Sequence, residues 1–370
     1  MIIFGKQKLL LLPKDTHKKI ALVTISLSGG GAERSTAFLS QMLTGLGHTV
    51  HIICIRDGVS YPYEGTLFNL GADKREEEGL ITKYKHLKRL KNYLHNEQFD
   101  LVIDSRSRSS ALKEWVYTKY IYKAKKVLYM VRSARLETYF PAPDVLAKWF
   151  YGKHHFVGVS KSIAAKIKAR YGFKHIHQVY NPIPQMTFGE SNVSLPETYL
   201  LGYGRLVDDV KNFSLMISAF AKANLKLPLV IMGDGPDAKK LATLSKSLGI
   251  NDKVIFIGHQ SNPAPVVERA LCTLLTSHYE GFPMVLVESL ALGTPVISVD
   301  CDSGPKEIVQ NGINGMLVAN YDDVALSTAI RTFVLDGELA SRCQKNAQES
   351  VKHLAAEHIA LDWKKLLDSL

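Results

Sequence analysis

At 370 residues the chain exceeds what one ordinary hydrophobic core organises, which predicts two domains. With 46% hydrophobic and 22% charged residues it has the composition of a soluble globular protein, and no apolar run reaches the roughly 18–20 residues that cross a bilayer. Its net charge of +11 is unevenly placed: residues 1–185 hold 30 Lys and Arg against 14 Asp and Glu, and residues 186–370 hold 16 against 21, so the two halves are expected to meet different partners.

The first residues, MIIFGKQKLLLLPKDTHKK, have a short Leu run broken by Pro13 and no small-residue cleavage site, so no secretory leader is expected. Strand-like apolar runs follow at 19–26, 49–55, 100–105, 126–131, 155–160 and 176–181. After the polar stretch MTFGESNVSLPE (186–197) they resume at 199–204, 227–233, 253–258, 272–277, 294–300 and 315–318. Helical periodicity fills the gaps, as at 32–46, 213–223 and 285–292. Alternation of helices with nearly continuous apolar strands predicts an α/β fold with parallel sheets covered on both faces. Two such series predict two Rossmann-like doubly wound domains facing a cleft, 1–185 and 186–352. The amphipathic stretch 353–370 is expected as one helix that can dock back on the N-terminal domain, with Leu354, Ile359, Trp363, Leu366 and Leu367 available for burial.

Cys54, Cys272, Cys301 and Cys343 have no paired spacing, which suits a reducing cytoplasm better than disulfides or a zinc site. The histidines form no HExxH-type ligand pair, and HH at 154–155 and HIH at 175–177 read as ordinary residues. The aspartates of DCD (300–302) stand directly before SGPKEI, and two acids alone are poor evidence for a metal, so none is expected.

In open parallel sheets ligands bind beyond the carboxyl ends of strands, and the motifs fall there. LSGGGAER (27–34) puts Gly30 and Gly31 between a strand and a helix, where free amides suit an anion or a sugar hydroxyl; a tight turn without a ligand reads equally well. It lacks the G-x-G-x-x-G spacing of dinucleotide enzymes, which argues against an NAD-dependent dehydrogenase. GYGRLVDDVKN (202–212) offers Gly204, Arg205 and Lys211; a guanidinium fork and an ammonium together suit a diphosphate, against the plainer reading of two surface cations. MGDGP (232–236) sets Asp234 between Gly233 and Gly235, where the backbone can approach a nucleotide closely or simply turn the chain. LLTSHYEGFPMVLVE carries Glu280 before a helix and Glu288 inside it, with Gly281, Phe282, Pro283 and Met284 at the helix start. Helix-start amides favour phosphate, and each carboxylate can accept hydrogen bonds from vicinal hydroxyls of one sugar ring.

EGFPMVLVE, with GRLVDDVKN, GDGP, SGPKEIV (303–309), VYNPIP (179–184) and GGGAERS, strongly resembles the retaining GT-B-fold glycosyltransferases of family four, most densely from 199 to 318. The resemblance implies that Glu280 contacts the hydroxyls of the transferred sugar and Glu288 the ribose. It implies that Arg205 and Lys211 stabilise the departing nucleoside diphosphate, and that Phe282, Pro283 and Met284 line the sugar–phosphate loop. Gly30 and Gly31 match the glycine loop that closes over the donor phosphates and acceptor. A UDP-linked hexose or N-acetylhexosamine is the implied donor, with no metal cofactor. Where many members carry an N-domain histidine, this chain reads YMVRSARLE (129–137); Arg132 is a candidate for that polar role or for an acceptor phosphate, against the plainer reading of a surface arginine, with Arg106 and Arg108 of DSRSRSS expected to face the same cleft. No second carboxylate stands opposite Glu280 as a glycosidase would require, so front-face displacement is the expected mechanism.

The basic half bears on the acceptor. ITKYKHLKRLKNYLH (81–95) spaces Tyr84, Leu87, Leu90 and Leu94 helically among Lys83, Lys85, Lys88, Arg89 and Lys91. With the apolar stripe inward and the cations outward, it predicts a peripheral enzyme at the inner face of an anionic membrane, adding a sugar to a glycan or lipid-linked acceptor of a bacterial-type surface polysaccharide. Nucleic acid is not expected as a partner, since no aromatic-interleaved basic motif or zinc pattern occurs. Two alternatives stay open: a nucleotide-sugar 2-epimerase of the same fold, and a catalytically silent sugar-nucleotide-binding partner.

Overall fold

The computed structural model describes residues 17–72, 79–186, 189 and 193–370. The stretch read for a secretory leader falls outside the described residues up to residue 16, as does part of the polar stretch 186–197. The chain forms two compact units, one running to Tyr180 and taking in Ala356–Leu370, the other spanning Asn181–Ala355.

The first unit contains β1 (Lys19–Thr24), α1 (Gly31–Gly45), β2 (Thr49–Cys54), β3 (Thr66–Asn69), α2 (Leu80–Asn96), β4 (Leu101–Asp104) and α3 (Ala111–Val116), which continues as a π-helical turn at Tyr117–Ile121. β5 (Val127–Val131), α4 (Asp144–Tyr151), β6 (His155–Gly158), α5 (Lys161–Tyr171) and β7 (His175–Gln178) follow. The sheet order is β3-β2-β1-β4-β5-β6-β7, and the strands pair in parallel. Ile20–Val23 and Val102–Ile103 are fully enclosed, as expected for strands covered on both faces.

The second unit runs through β8 (Leu200–Tyr203), α6 (Asp208–Lys211), α7 (Phe213–Ala223), β9 (Leu229–Met232), α8 (Ala238–Ser247), β10 (Val254–Gly258), α9 (Ala264–Glu268) and β11 (Cys272–Leu275). It continues with α10 (Met284–Ala291), β12 (Val296–Asp300), α11 (Pro305–Ile308), β13 (Gly315–Ala319), α12 (Asp323–Leu335) and α13 (Gly337–Ser350). Its parallel sheet is ordered β10-β9-β8-β11-β12-β13. One core cluster joins Phe213, Ile217 and Phe220 of α7 to Ile330 and Phe333 of α12 over the strands.

The last helix, α14 (Ala356–Ser369), belongs to the first unit, where it neighbours α1. Ile359, Trp363, Leu366 and Leu367 are buried, each contributing roughly 1.5–3 kcal/mol of apolar transfer. Leu354 is buried too, but in the second unit, where its carbonyl accepts from the Ile183 amide at 2.9 Å. Among the described residues no helix is long and apolar enough to cross a membrane. All four cysteines are buried free thiols, and burial pushes Cys54 up to about 12.

The first unit holds a set of histidines that resist protonation. His155 and His177 approach to 3.2 Å between Nδ1 and Nε2, and His155 stacks on His175. Burial, then the neighbouring His175, His177 and Lys126, pull His155 down to about 4. Burial also lowers His48, His51, His154 and His177. A lowered histidine pKa means the unfolded chain binds a proton that the folded state refuses. Stability is therefore complete above about pH 6.5 and declines as pH falls towards 4. The His155 ring is partly open to solvent, so screening limits its own share to roughly 1 kcal/mol. The thermal midpoint of this unit is expected to drop between about pH 7 and about pH 4.5, and His155→Gln to flatten the drop. A midpoint independent of pH over that window would contradict the assignment.

Candidate active site

Each sheet reverses its strand order once, between β1 and β4 in the first unit and between β8 and β11 in the second. The crevice beyond the strand ends at such a reversal is the ordinary ligand site of an open α/β sheet. In the second unit the segments leaving β8 and β11 carry Arg205, Lys211 and Glu280.

Lys211 closes α6, and Asn212 turns left-handed (φ 50°) before α7. The joint is tied to the β11–α10 segment by its backbone. Thr276 Oγ1 donates to the Asn212 carbonyl at 2.8 Å, and the His278 amide donates to Val210 O at 2.9 Å. Asp208 fixes the other side of α6, accepting from Ser214 N and Oγ at 2.9 and 2.6 Å and from Lys240 Nζ at 2.8 Å. Burial would raise the Asp208 carboxyl, but the Lys240 and Ser214 hydrogen bonds outweigh it and hold it below the ordinary carboxylate range.

So held, Lys211 Nζ lies 2.6 Å from Glu280 Oε1, and Ser277 Oγ donates to the same oxygen at 2.7 Å. The side chains are 23% and 12% exposed, enclosed enough to be ordered and open enough to meet a ligand. Both donors use Oε1, so among the described residues Oε2 is the oxygen left open to a ligand. The Glu280 amide donates to Asp302 O at 3.2 Å, giving the DCD segment a backbone role beside the site.

α10 begins at Met284, with Gly281, Phe282 and Pro283 buried just before it. Ser303 Oγ donates to the Gly281 carbonyl at 3.0 Å. Gly304 (φ 104°) lies against Pro283, whose Cδ would be 2.3 Å from any added Cβ. Glu288 is buried at 7% exposure, and Tyr203 Oη stands 3.3 Å from its Oε2 and 3.0 Å from Val285 O. The two glycine turns pack backbone on backbone: a Cβ on Gly233 (φ 139°) would meet Gly204 O at 1.9 Å. Asp234 is exposed; its carbonyl accepts from Leu206 N at 2.9 Å and its Oδ1 from Gly235 N at 2.7 Å. Arg205 is exposed at the end of β8.

In the first unit Gly30 precedes α1 in extended conformation and Gly31 opens the helix. Arg132, just beyond β5, donates through Nη1 to the Ala32 carbonyl and to Thr36 Oγ1 (2.8 Å), bracing the start of α1. Burial lowers its pKa to about 10, against the pull of Tyr139 and Glu33, so it stays cationic at neutral pH.

Arg106 and Arg108 depart from the expectation that they face a ligand. They are 4% and 1% exposed. Arg106 is ion-paired to Asp104 at 2.7 Å and Glu114 at 3.3 Å, and Arg108 donates to the carbonyls of Asp104, Arg106 and Met130. These cations hold the β4–α3 connection together from inside. Sequence reading also passed over Ser277, Thr276 and Tyr203, since a hydroxyl beside a strand carries no spacing signal until the chain is folded.

The family model for glycosyl transferases group 1 matches residues 187–350, and that for glycosyltransferase family 4 matches residues 29–185. The chain is 26% identical over 374 residues to an N-acetylgalactosamine-N,N'-diacetylbacillosaminyl-diphospho-undecaprenol 4-alpha-N-acetylgalactosaminyltransferase of Campylobacter jejuni, covering 95% of this chain and 99% of that protein. It is 37% identical over 177 residues to a lipopolysaccharide 1,6-galactosyltransferase of Salmonella typhimurium, covering 45% of this chain and 48% of that one. The crystal structure of Anabaena HepE in complex with UDP superposes with a TM-score of 0.74 at 18% identity, over 95% of this chain and 100% of that one, a likeness of fold.

Proposed function

The chain belongs to the group 1 glycosyltransferases of GT-B fold, and on that premise we propose that it is a retaining enzyme moving a hexose or N-acetylhexosamine from UDP to a glycan or lipid-linked acceptor of a cell-surface polysaccharide or glycoconjugate. The observation that carries the proposal is the Lys211–Glu280 pair held at the β8/β11 reversal. It sets a cation for a leaving diphosphate against a carboxylate for the transferred ring. Glu288, enclosed beside Tyr203, is the acid for the ribose, and Arg205 completes the positive charge at the diphosphate. The amides of 281–285, at the start of α10, face the phosphates, and the Gly204 and Gly233 turns admit the nucleotide closely. Within the first unit Gly30 and Gly31, at the start of α1, are the amides for a phosphate or a sugar hydroxyl, with Arg132 as the polar group beside them.

The acceptor hydroxyl attacks the anomeric carbon from the side of the departing UDP, and its proton passes to a diphosphate oxygen. The C–O bond to UDP breaks as the new glycosidic bond forms, with retention and without a metal. Relatives that act on diphospho-undecaprenol-linked or lipopolysaccharide acceptors support a lipid-linked acceptor, and solved UDP complexes of the same fold support a UDP donor. With such an acceptor the proposed site of action is the cytoplasmic face of a membrane.

The test incubates the purified chain with UDP-hexoses and UDP-N-acetylhexosamines and a lipid-linked oligosaccharide, then reads UDP release and the anomeric configuration of the product. The matching donor, at about 100 times its dissociation constant, should stabilise the fold by about 2.7 kcal/mol. Inverted product, donor epimerised at its second carbon, or donor binding without any transfer would each refute the reading.

A further inference from the structure

On one side of the first sheet α2, α3 with its π-helical continuation, and α4 form a layer of neighbouring helices. Lys91 Nζ sits 3.6 Å from the Tyr120 ring centroid, joining α2 to the continuation, and Lys119 Nζ sits 4.3 Å from that of Trp149, joining the continuation to α4. The outer surface of this layer is apolar where a lone soluble domain would be polar. Leu112 and Trp115 stand one turn apart on α3, 75% and 49% exposed; Val145 and Trp149 stand one turn apart on α4, 66% and 57% exposed. On α2, by contrast, Leu90 and Leu94 turn inward.

Among the described residues the unpaired charge around this patch has one sign. Lys113, Lys119, Lys123, Lys148 and Lys153 are exposed, and none makes an ion pair among the described residues. Among the described residues the acids on and beside α3 and α4 are engaged: Glu114 is buried against Arg106, and Glu137 and Asp144 are paired with Arg170. Protein interfaces favour Arg and are depleted in Lys, whereas exposed tryptophan ringed by lysine is the composition of a surface that meets anionic headgroups.

We propose that the outer face of α3 and α4 docks the protein on an anionic lipid bilayer, with Trp115 and Trp149 entering the headgroup region and the lysines facing the lipid phosphates. This rests on the reading of a lipid-linked acceptor and moves the contact from α2, where the sequence alone would put it, to the neighbouring helices.

The full chain is mixed with phosphatidylcholine vesicles, with and without about 30% phosphatidylglycerol, and scored by co-sedimentation and tryptophan emission. Trp363, the third tryptophan, is buried, so a spectral change reports Trp115 and Trp149. The expected result is binding to anionic vesicles that fades with salt, together with a blue shift. Trp115→Ala with Trp149→Ala should lower the partition at least about tenfold, and Lys113→Glu with Lys148→Glu by more than the roughly fivefold that each lysine contributes. Thermal stabilisation by donor should be unchanged in both double variants. Equal partition onto neutral and anionic vesicles, an unshifted emission, or wild-type partition of either double variant would overturn the proposal. A chain that binds anionic vesicles but transfers no sugar keeps this surface and removes the transferase reading; one that transfers sugar but ignores vesicles does the reverse.

Discussion

Lys211→Ala is expected to slow sugar transfer on the order of 10²–10³-fold, with donor affinity changed far less. The ammonium lies 2.6 Å from Glu280 Oε1, and in the proposed reaction the leaving diphosphate would lie beside it. Negative charge on that diphosphate grows as the anomeric bond breaks, so a fixed cation stabilises the transition state more than the bound donor. Removing one such pre-positioned contact costs about 2.7–4 kcal/mol of barrier, which is the stated loss in rate. The same substitution should cost the fold no more than about 1 kcal/mol, because the pair is partly solvated and Ser277 still donates to Glu280. Arg205→Ala is expected to act in the same direction. Steady-state kinetics checks this, with the loss expected in kcat; turnover equal to wild type in either variant would remove the proposed role.

Arg106→Met is expected to destabilise the first unit by about 3–5 kcal/mol without any direct part in chemistry. Its guanidinium donates to Asp104 at 2.7 Å and Glu114 at 3.3 Å and lies 3.4 Å from the Tyr117 ring centroid. Tyr122 Oη donates to Asp104 at 3.2 Å and Tyr151 Oη to Glu114 at 2.8 Å. Both carboxylates are 1% exposed or less, so losing the cation strands two charges that water cannot reach. Adding Glu114→Gln should recover part of the loss. Tryptophan fluorescence in urea isolates the effect, since Trp115, Trp149 and Trp363 all lie in the first unit. A loss below about 1 kcal/mol would show that the network does not hold the unit together.

Most of the architecture was legible because parallel strands buried on both faces are written as apolar runs, and helices between them by their period. Phe213–Ala223 was read to the residue, and the twelve apolar runs each contain or overlap a strand. β3 escaped: Thr66–Asn69 is a four-residue edge strand, half polar and only partly covered, so its sequence lacks the pattern that burial imposes. Glu280 and Lys211 were legible through motif resemblance, whereas their pairing depends on Thr276 and His278 bonding across from another segment. Arg106 and Arg108 were misread because a cation at a strand end looks the same in sequence whether it faces a ligand or a buried acid. Asp104 and Glu114, two and eight residues from Arg106, were the available signal.

The return of α14 to the first unit has a consequence for biosynthesis. A ribosome delivers Asn181–Ala355 as one uninterrupted segment, so the second unit can complete its fold while the first still awaits a helix that contributes Trp363 and Leu367 to its interior. The first unit is therefore closed only after the second has been made, and its apolar α14-binding surface stays uncovered until Ala356–Ser369 emerges.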